Sequence, residues 1–302
     1  CALTMGADKG ISATYVKTQT ITVNATGYGT VTFGSTPTDG VATTTCTFNA
    51  SSSSCTRTFD AATKITLSAS PAGGYRFGTW TSGCDDATAC DVSLVDGTDV
   101  TVVVSFVKTY DLTVTKSTHV SIATTTIDGI APTPAMTCAK GSGTCTYTYD
   151  AGTVLVLTAT ADATYRFTGW TGTAACAGTG TCTVTMGADK GISATYVKTY
   201  DLTVTKSAHV SIATTTINDV TQDPVITCAK GSGTCTYTYD TGTTLVLTAT
   251  ADATYRFVEW TGDCSGSSTC ALTMGADKGI SATYVKTQTI TVNATGYGTV
   301  TF

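Results

Sequence analysis

Hydrophobic and polar residues alternate along much of the chain, a pattern typical of β-strands that bury one face. Residues 110–115 show it well, because Tyr110, Leu112 and Val114 are separated by single polar residues. Residues 154–160 are apolar on both faces, which predicts a strand in the middle of a sheet. Gly and Asp residues divide the chain into roughly seven short strands per module, without a helical period. The pattern predicts an all-β fold, either a small β-sandwich or a β-grasp-like sheet.

The strand pattern repeats at a fixed interval. Trp80, Trp170 and Trp260 lie 90 residues apart, and a Tyr-Arg-Phe motif before each Trp keeps the same step. In addition, residues 1–33 recur letter for letter as residues 270–302. Self-similarity at a fixed period predicts a tandem array of modules. The recurring aromatic residues are predicted to lie in the module cores: Phe77, Phe167, Phe257, Trp80, Trp170 and Trp260.

The repeat also predicts where the modules begin and end. The predicted units are the last part of a preceding module at residues 1–18, three modules at residues 19–108, 109–198 and 199–286, and the first hairpin of a following module at residues 287–302. No Gly/Ser or Pro tract separates one module from the next, so the joints should be stiff. Stiff joints between similar neighbours predict a rod.

Composition supports this picture and excludes several classes of partner. Of the 21 acidic residues, Glu259 is the one Glu, and Asp favours turns where Glu favours helices. A net charge of -5 with 12% charged residues argues against a nucleic-acid partner, which needs a basic face. No stretch approaches the roughly 20 apolar residues of a membrane span.

The 13 cysteines form a periodic set of four per module plus Cys1. Neighbouring cysteines are predicted to pair as Cys46 with Cys55, Cys84 with Cys90, Cys138 with Cys145, Cys176 with Cys182, Cys228 with Cys235, and Cys264 with Cys270. An even, periodic set predicts disulfides, each holding one hairpin or loop, and an oxidising extracellular setting. A zinc site is the competing interpretation, but no Cys-x-x-Cys pair occurs. Cys1, the copy of Cys270, is left without a partner within the chain.

Several motifs in the second half of each module resemble a known family. In the middle module they are Gly-Trp-Thr-Gly at residues 169–172, the paired-Cys loop at 176–182, Thr-Val-Thr-Met at 183–186 and Ala-Thr-Tyr at 194–196. This series closely resembles the divergent internalin-type B-repeat family of bacterial surface proteins, and the Cys138–Cys145 segment is also similar. The resemblance implies a secreted or surface protein, a β-grasp-like fold, an adhesive or stalk role, and no catalytic residues.

The first module departs from this motif series. Gly78-Thr79-Trp80 replaces Thr-Gly-Trp, and Val-Ser-Leu at residues 92–94 replaces Thr-Val-Thr-Met. The loop at residues 118–136 is also longer than the family pattern. The number of strands in the first half of a module therefore stays open.

Few residues are candidates for chemistry. His119 and His209 recur one module apart without a second ligand nearby, so each is interpreted as an exposed strand residue rather than a metal or proton site. Asp85, Asp86 and Asp91 could bind calcium, but the other modules lack this cluster, which favours turn chemistry. The recurring arginines lie between aromatic residues and are expected to stack on a ring rather than bind a ligand: Arg76, Arg166 and Arg256.

Glycans are a further possibility. Three Asn-x-Ser/Thr sequons begin at Asn24, Asn49 and Asn293, although such motifs are frequent in any Thr-rich chain. Four tyrosines that alternate with Thr would face sugars in a carbohydrate-binding protein, and we expect them to be mostly buried instead: Tyr147, Tyr149, Tyr237 and Tyr239.

The residues favour a structural function. No nucleophile elbow, zinc-protease motif or phosphate loop occurs, so we expect no enzyme, metal or cofactor. The leading hypothesis is a secreted structural repeat protein that forms a stiff extracellular fibre with copies of itself, end to end and possibly side by side. The fibre could be one long chain or shorter chains that complete each other's modules by adding strands. A cell-surface adhesin or carbohydrate-binding stalk is the alternative, and an appendage of a secreted depolymerase is a third.

Overall fold

A computed structural model describes residues 4, 6–35, 44–84, 90–95, 97–131, 135–172, 176–293 and 295–301. The described residues form 22 strands and no helix, so the all-β prediction is confirmed. Within the same ranges, three separate hydrophobic clusters lie along the chain. The protein is therefore a series of three small cores.

The first core is built from seven complete strands and part of an eighth. They are β1 (Thr18–Thr26), β2 (Gly29–Ser35), β3 (Thr44–Phe48), β4 (Ser54–Asp60), β5 (Lys64–Pro71), β6 (Tyr75–Ser82), β7 (Cys90–Ser93) and β8 (Val100–Thr115). Strands β3, β2, β5 and β7 form one sheet, while β4, β1, β8 and β6 form the other. Both sheets contribute to one core, so the module is a two-sheet sandwich.

The second core repeats this arrangement. Its strands are β9 (Val120–Ile127), β10 (Thr137–Cys138), β11 (Thr144–Asp150), β12 (Val154–Ala161), β13 (Tyr165–Thr171), β14 (Cys182–Thr185) and β15 (Lys190–Thr205). Strand β12 lies between β9 and β14, so the prediction that residues 154–160 occupy the middle of a sheet is confirmed.

The third core has the same plan. Its strands are β16 (Val210–Ile217), β17 (Val220–Cys228), β18 (Thr234–Asp240), β19 (Thr244–Ala251), β20 (Tyr255–Gly262), β21 (Cys270–Thr273) and β22 (Lys278–Lys286). One sheet is β17-β16-β19-β21, and the other contains β18, β15, β22 and β20. Of the two predicted alternatives, the structure has the sandwich, because each core is closed by a second sheet.

The recurring aromatic residues pack as pairs at one side of each core. Trp80, Trp170 and Trp260 are buried, and Trp260 exposes 2% of its surface. A partly buried Phe lies next to each, with ring centroids 5.0 Å apart for Phe167 and Trp170. The Trp170 indole N–H donates to the Gly180 carbonyl at 2.8 Å, so this N–H keeps a hydrogen-bond partner although the ring is buried.

Three of the six disulfides connect the two sheets of a module. In the other three, the first Cys lies outside the strands and the second begins β7, β14 or β21. Cys138 ends β10, which pairs with β9, whereas Cys145 lies in β11, which pairs with β8 in the opposite sheet. The Cys46–Cys55 and Cys228–Cys235 bridges join opposite sheets in the same way. Each bridge was predicted to hold one hairpin or loop, and the hairpin is wrong for these three bridges, because the strands on either side of the short turn belong to different sheets. Cys1 lies outside the described residues.

In the second and third modules, a glycine two residues after the Trp lets two strands approach closely. Gly172 has φ +103°, and a Cβ there would collide with the backbone oxygen of Gly191 in β15. Gly262 has φ +92° and faces Gly279 in the same way. Only glycine adopts this conformation without strain, so the Trp-Thr-Gly motif has a backbone reason.

Candidate functional site at the module junctions

Two long strands pass from one module into the next without a break. The first half of β8 pairs with β1 and β6 in the first module, and its second half pairs with β11 and β15 in the second. Strand β15 does the same between the second and third modules, with β13 on one side of the boundary and β18 on the other. The predicted boundaries at residues 108/109 and 198/199 therefore fall inside strands. We call each of these boundary regions a junction.

The shared strands join one sheet of each module into a single ten-stranded sheet. Backbone hydrogen bonds continue across the boundary: Thr199 N–H donates to the Thr164 carbonyl at 2.9 Å, and Thr241 N–H donates to the Lys198 carbonyl at 2.8 Å. Bending a junction would break ladder hydrogen bonds on both sides, so the junctions resist bending.

An ion pair crosses each junction beside the shared strand. Arg76 of the first module donates through Nε and Nη2 to the two carboxylate oxygens of Asp150, at 2.6 and 2.5 Å. Arg166 holds Asp240 of the third module in the same way, with Nε 2.9 Å from Oδ1. We call these contacts the junction ion pairs. A bidentate guanidinium–carboxylate pair fixes orientation as well as distance.

The junction ion pairs shift the pKa values of their members. Hydrogen bonds from Arg76 and Arg166 lower the pKa of Asp150 and of Asp240, while partial burial acts against the shift. The Arg76 and Arg166 side chains are about half exposed, so solvent and salt weaken the attraction. The pairs are therefore suited to fixing the angle between modules rather than to adding much stability.

Each junction also has a small polar cleft. The cleft between the first two modules, of about 170 Å³, is lined by Gly74, Lys108 and Asp189 among others. Lys108 reaches across it, 4.8 Å from the Tyr75 ring centre and 5.4 Å from that of Tyr110. Clefts of this size are smaller than typical ligand pockets, so we interpret them as gaps between modules.

The carboxylates at this cleft already have partners. Asp189 Oδ1 accepts a hydrogen bond from the Asp111 N–H at 2.9 Å, and Asp111 Oδ1 accepts from Thr148 Oγ1 at 2.7 Å. The second junction repeats both contacts through Asp201 and Asp277. These carboxylates hold the first strand of a module in place.

The junction ion pairs correct one expectation from the sequence. The arginines were expected to stack on rings, yet Arg76 and Arg166 bind carboxylates of the next module. Their partners were interpreted only as turn residues. The sequence contained one feature from which the ion pairs could have been predicted. Asp60, Asp150 and Asp240 recur at the same 90-residue step as the arginines.

The two histidines lie in a mixed aromatic and charged cluster. The His119 ring stacks on Tyr165 with centroids 3.6 Å apart, and its Nδ1 is 3.1 Å from Asp162 Oδ2. Lys140 pairs with the other oxygen of Asp162, and the two contacts lower the pKa of that carboxyl. His209 forms the same cluster with Tyr255, Asp252 and Lys230.

The position of these histidines differs from the prediction. His119 is half-buried in the bend before β9, whereas an exposed strand residue was expected. No group of three or more potential metal ligands occurs among the described residues. The cluster connects the bend before β9 to the start of β13 and so has a structural explanation.

Comparison with known proteins agrees with the motifs in the sequence. The model of the divergent InlB B-repeat domain matches residues 41–124, 133–199 and 224–288, which is more than half of the chain. The chain belongs to the divergent InlB B-repeat family. The resemblance stated from the Gly-Trp-Thr-Gly and Thr-Val-Thr-Met motifs is thus confirmed.

Two solved structures of pilus proteins are distantly similar to this B-repeat chain. The pilus adhesin SpaC from Lactobacillus rhamnosus GG is 10% identical with a TM-score of 0.31, and the match covers 92% of this chain and 44% of SpaC. The major pilin T-13 from Streptococcus pyogenes is 15% identical with a TM-score of 0.22, over 60% of this chain and 97% of the pilin. The B-repeat chain thus spans less than half the length of SpaC. A search of curated proteins finds no match.

Other candidate residues of the B-repeats have local roles. Asp91 pairs with Lys64 at 2.8 Å and accepts from Thr66, which together lower its pKa, whereas Asp85 and Asp86 lie outside the described residues. Two of the three carboxylates lie outside the described residues, so the choice of turn chemistry over calcium binding stays a prediction.

The sequons differ in accessibility. Asn24 is half-buried within β1, and the Asn49 side chain accepts a hydrogen bond from Ser51 N–H at 2.9 Å. Asn293 is exposed. The glycan prediction remains a prediction at all three positions.

The four tyrosines are half-buried rather than mostly buried. Tyr147 and Tyr149 pack against the second core, and Tyr147 OH donates to the Thr137 carbonyl at 3.1 Å. Burial raises the pKa of Tyr149 and of Tyr239. Their ring faces are only partly available for stacking on a sugar.

Among the described residues there is no helix with the length and apolar character needed to cross a bilayer.

Proposed function

We propose that the chain is a non-enzymatic, load-bearing rod of the bacterial surface, part of a stiff extracellular fibre. The observation that carries the proposal is the pair of 16-residue strands, β8 and β15, that belong to two modules at once. A linker allows neighbouring domains to rotate, whereas a shared strand with a crossing ion pair fixes their angle. The family, one of bacterial surface repeats, supports the location and the structural role.

The division into modules at residues 19–108, 109–198 and 199–286 is part of this proposal. Three separate cores support it, since each cluster of buried residues stays within one predicted module. In a fibre, further modules follow end to end, either in one long chain or as separate copies. Denaturing, reducing gel electrophoresis of native fibres distinguishes the two, because a band near 30 kDa would reject the long chain.

Small-angle X-ray scattering of the purified chain tests the rod. A rod with fixed junctions gives one cross-section and a pair-distance distribution with a long linear tail. Arg166→Ala should broaden that distribution, while Arg256→Ala is a matched control because Arg256 crosses no junction within the described residues. A wild-type profile that requires an ensemble of bent conformers contradicts the proposal.

The second candidate function is an adhesin or carbohydrate-binding stalk, favoured by the partial exposure of Tyr147 and Tyr237. Glycan-array binding by the intact chain, lost in Tyr147→Ala with unchanged near-UV circular dichroism, would favour it. We expect no such binding, because the Tyr147 hydroxyl is held by the Thr137 carbonyl.

A further inference from the structure

One edge of the ten-stranded sheet is open in the second and third modules. Among the described residues, β11 pairs only with β8, and β18 pairs only with β15, so each strand has a free side. Both strands read Thr-Cys-Thr-Tyr-Thr-Tyr-Asp, without Lys, Arg or Pro, and neither pairing has a register shift. The second module has a described module on either side, and neither of these two covers the β11 edge.

The free side of β11 presents backbone groups that have no partner among the described residues. In an antiparallel ladder, alternate residues direct their N–H and C=O groups to the neighbouring strand. The Ala151 N–H donates to the Lys108 carbonyl at 2.8 Å, so the odd-numbered residues of this segment bond to β8. Thr144, Thr146 and Thr148 therefore direct both backbone groups away from the sheet, and all three are exposed. The corresponding threonines of β18 do the same.

Other edges of the same modules are protected. Strands β6, β13 and β20 form the opposite edge, and each has a register shift that interrupts regular pairing. In β20, the Trp260 N–H donates to the Gly266 carbonyl of the following loop at 2.9 Å. In the four-stranded sheets, the edge strands β7, β14 and β21 have four residues each. Bulges and short strands are means by which proteins prevent edge-to-edge pairing, and β11 and β18 have neither.

The first module contains a protected version of the open edge. Strand β4 corresponds to β11 but has Arg57 at the position of Tyr147. Arg57 donates through Nη1 to the Thr56 carbonyl and through Nη2 to the Thr45 carbonyl, both at 2.9 Å. Because Thr56 corresponds to Thr146, its carbonyl is one that a neighbouring strand would bind. The Arg57 guanidinium occupies this carbonyl and places a charge at the edge.

We propose that the β11 and β18 edges pair with the same edges of a second copy, which lies alongside and antiparallel. A two-fold axis at the second junction places β11 of each copy against β18 of the other, so two contacts form together. In each contact, the outward threonines of the two strands exchange about six backbone hydrogen bonds. The inference rests on the proposed fibre and names the surface through which its rods associate side by side.

Charge and side-chain size favour a second copy as the partner. Asp150 and Asp240 are the only charged residues of these two strands, and the junction ion pairs neutralise them, so the edges do not repel each other. The other outward residues are all Thr, and Thr pairs across strands are favourable. Such a pair already exists between β1 and β4, where the Thr22 and Thr56 hydroxyl oxygens are 3.1 Å apart. A foreign peptide would meet one edge, whereas a second copy meets both edges together and so binds more tightly.

Analytical ultracentrifugation and small-angle X-ray scattering of the purified chain test the pairing. We expect a concentration-dependent species of twice the chain mass of 30.8 kDa. Side-by-side pairing makes this dimer wider in cross-section than the monomer and shorter than two chains placed end to end. A dimer with the cross-section of the monomer and twice its length would overturn the proposal.

Proline substitutions test the edges themselves. The double variant Thr146→Pro with Thr236→Pro removes an outward N–H from each edge and leaves the bonds to β8 and β15 in place. Its dimer dissociation constant should rise at least about tenfold, because each contact loses the N–H groups of both strands. Thr56→Pro is the matched control, since Arg57 already protects the β4 edge, and it should leave the dissociation constant unchanged. Equal effects of the two variants would contradict pairing through β11 and β18.

Arginine substitutions repeat the test without proline. Tyr147→Arg with Tyr237→Arg gives both edges the residue that protects β4, so the dissociation constant should again rise at least about tenfold. Arg57→Tyr opens the β4 edge and should strengthen association. A dimer that tolerates both arginines would show that the contact lies elsewhere.

Amide hydrogen exchange locates the contact within the strand. The Thr146 N–H should exchange at least about tenfold more slowly in the dimer than in the monomer, because it gains a partner. The Tyr147 N–H already bonds to β8 and should change little. Unchanged exchange of Thr146 on dimerisation would overturn the proposal.

The results separate this inference from the proposed rod. A monomer at all concentrations with a rod-like scattering profile overturns the edge pairing and leaves the rod standing. A bent ensemble overturns the rod itself. A chain that stays monomeric but binds an unrelated extended peptide along β11 overturns the choice of a second copy as the partner.

Discussion

Arg166 and Asp240 lie 74 residues apart in the sequence and in different modules, yet they form a bidentate ion pair across a continuous strand. Arg76 and Asp150 form the same pair at the preceding junction, with the same separation. One relationship thus recurs at each junction and gives the array a uniform geometry.

Removing the ion pair should loosen a junction without unfolding a module. In Asp240→Asn, we expect the cores to keep their melting temperatures within about 3 °C, because exposed ion pairs contribute little to stability. The angle between the second and third modules should spread, as measured by electron microscopy of single molecules. An unchanged angular distribution would show that the shared strand alone fixes the junction.

The pH dependence of the junction follows from the lowered pKa values of Asp150 and Asp240. A carboxylate with a lowered folded-state pKa contributes stability above its unfolded pKa of about 3.9 and loses it as the pH falls through the folded value. Wild type should therefore melt slightly above Asp240→Asn at pH 6, and the difference should vanish near pH 2. A difference in melting temperature that persists near pH 2 would show that packing, rather than the charge of Asp240, causes it.

The disulfides that join the two sheets of a module should stabilise its sandwich. Closing a ring of about eight residues is worth about 2.5 kcal/mol in the chain-entropy model. Replacing Cys138 and Cys145 by Ala should lower the melting temperature of the second module by about 10–20 °C. The third module, with its Cys228–Cys235 bridge intact, is the internal control in differential scanning calorimetry. If an alkylating reagent modified all twelve of these cysteines in protein that had not been reduced, the disulfides would be absent.

Gly172 should be intolerant of substitution. Its φ of +103° and the nearby Gly191 backbone oxygen leave no room for a side chain. Gly172→Ala should destabilise the second module by about 1–3 kcal/mol, measured by thermal unfolding. Gly187→Ala is the matched control, because Gly187 has open space around it, and it should have little effect. Equal stability of the two variants would contradict the close approach of β13 and β15.

The sequence predicted what depends on local pattern and period. Apolar residues on both faces placed residues 154–160 in the middle of a sheet, and the 90-residue step placed Trp80, Trp170 and Trp260 in separate cores. The sequence did not predict which strands belong to the same sheet, because alternation shows the buried face of a strand but not its neighbours. For this reason Cys138 and Cys145 were assigned to one hairpin.

The junction was harder to predict than the cores. A short connection suggested stiffness, but only the structure shows that Lys198 and Thr199 lie inside one strand. The contact between Arg166 and Asp240 depends on the angle between modules, which no local pattern encodes. Comparing the periods of charged residues as well as aromatic ones would have suggested the pair.

Amide hydrogen exchange at Thr199 tests most directly whether strands run through the junctions. The Thr199 N–H is bound to the Thr164 carbonyl at the middle of β15, whereas amides in residues 288–293 lie outside any strand. We predict that Thr199 is protected to the same degree as Leu202 in the interior of β15. Exchange of Thr199 as fast as that of residues 288–293 would contradict a continuous strand and the stiff array built on it.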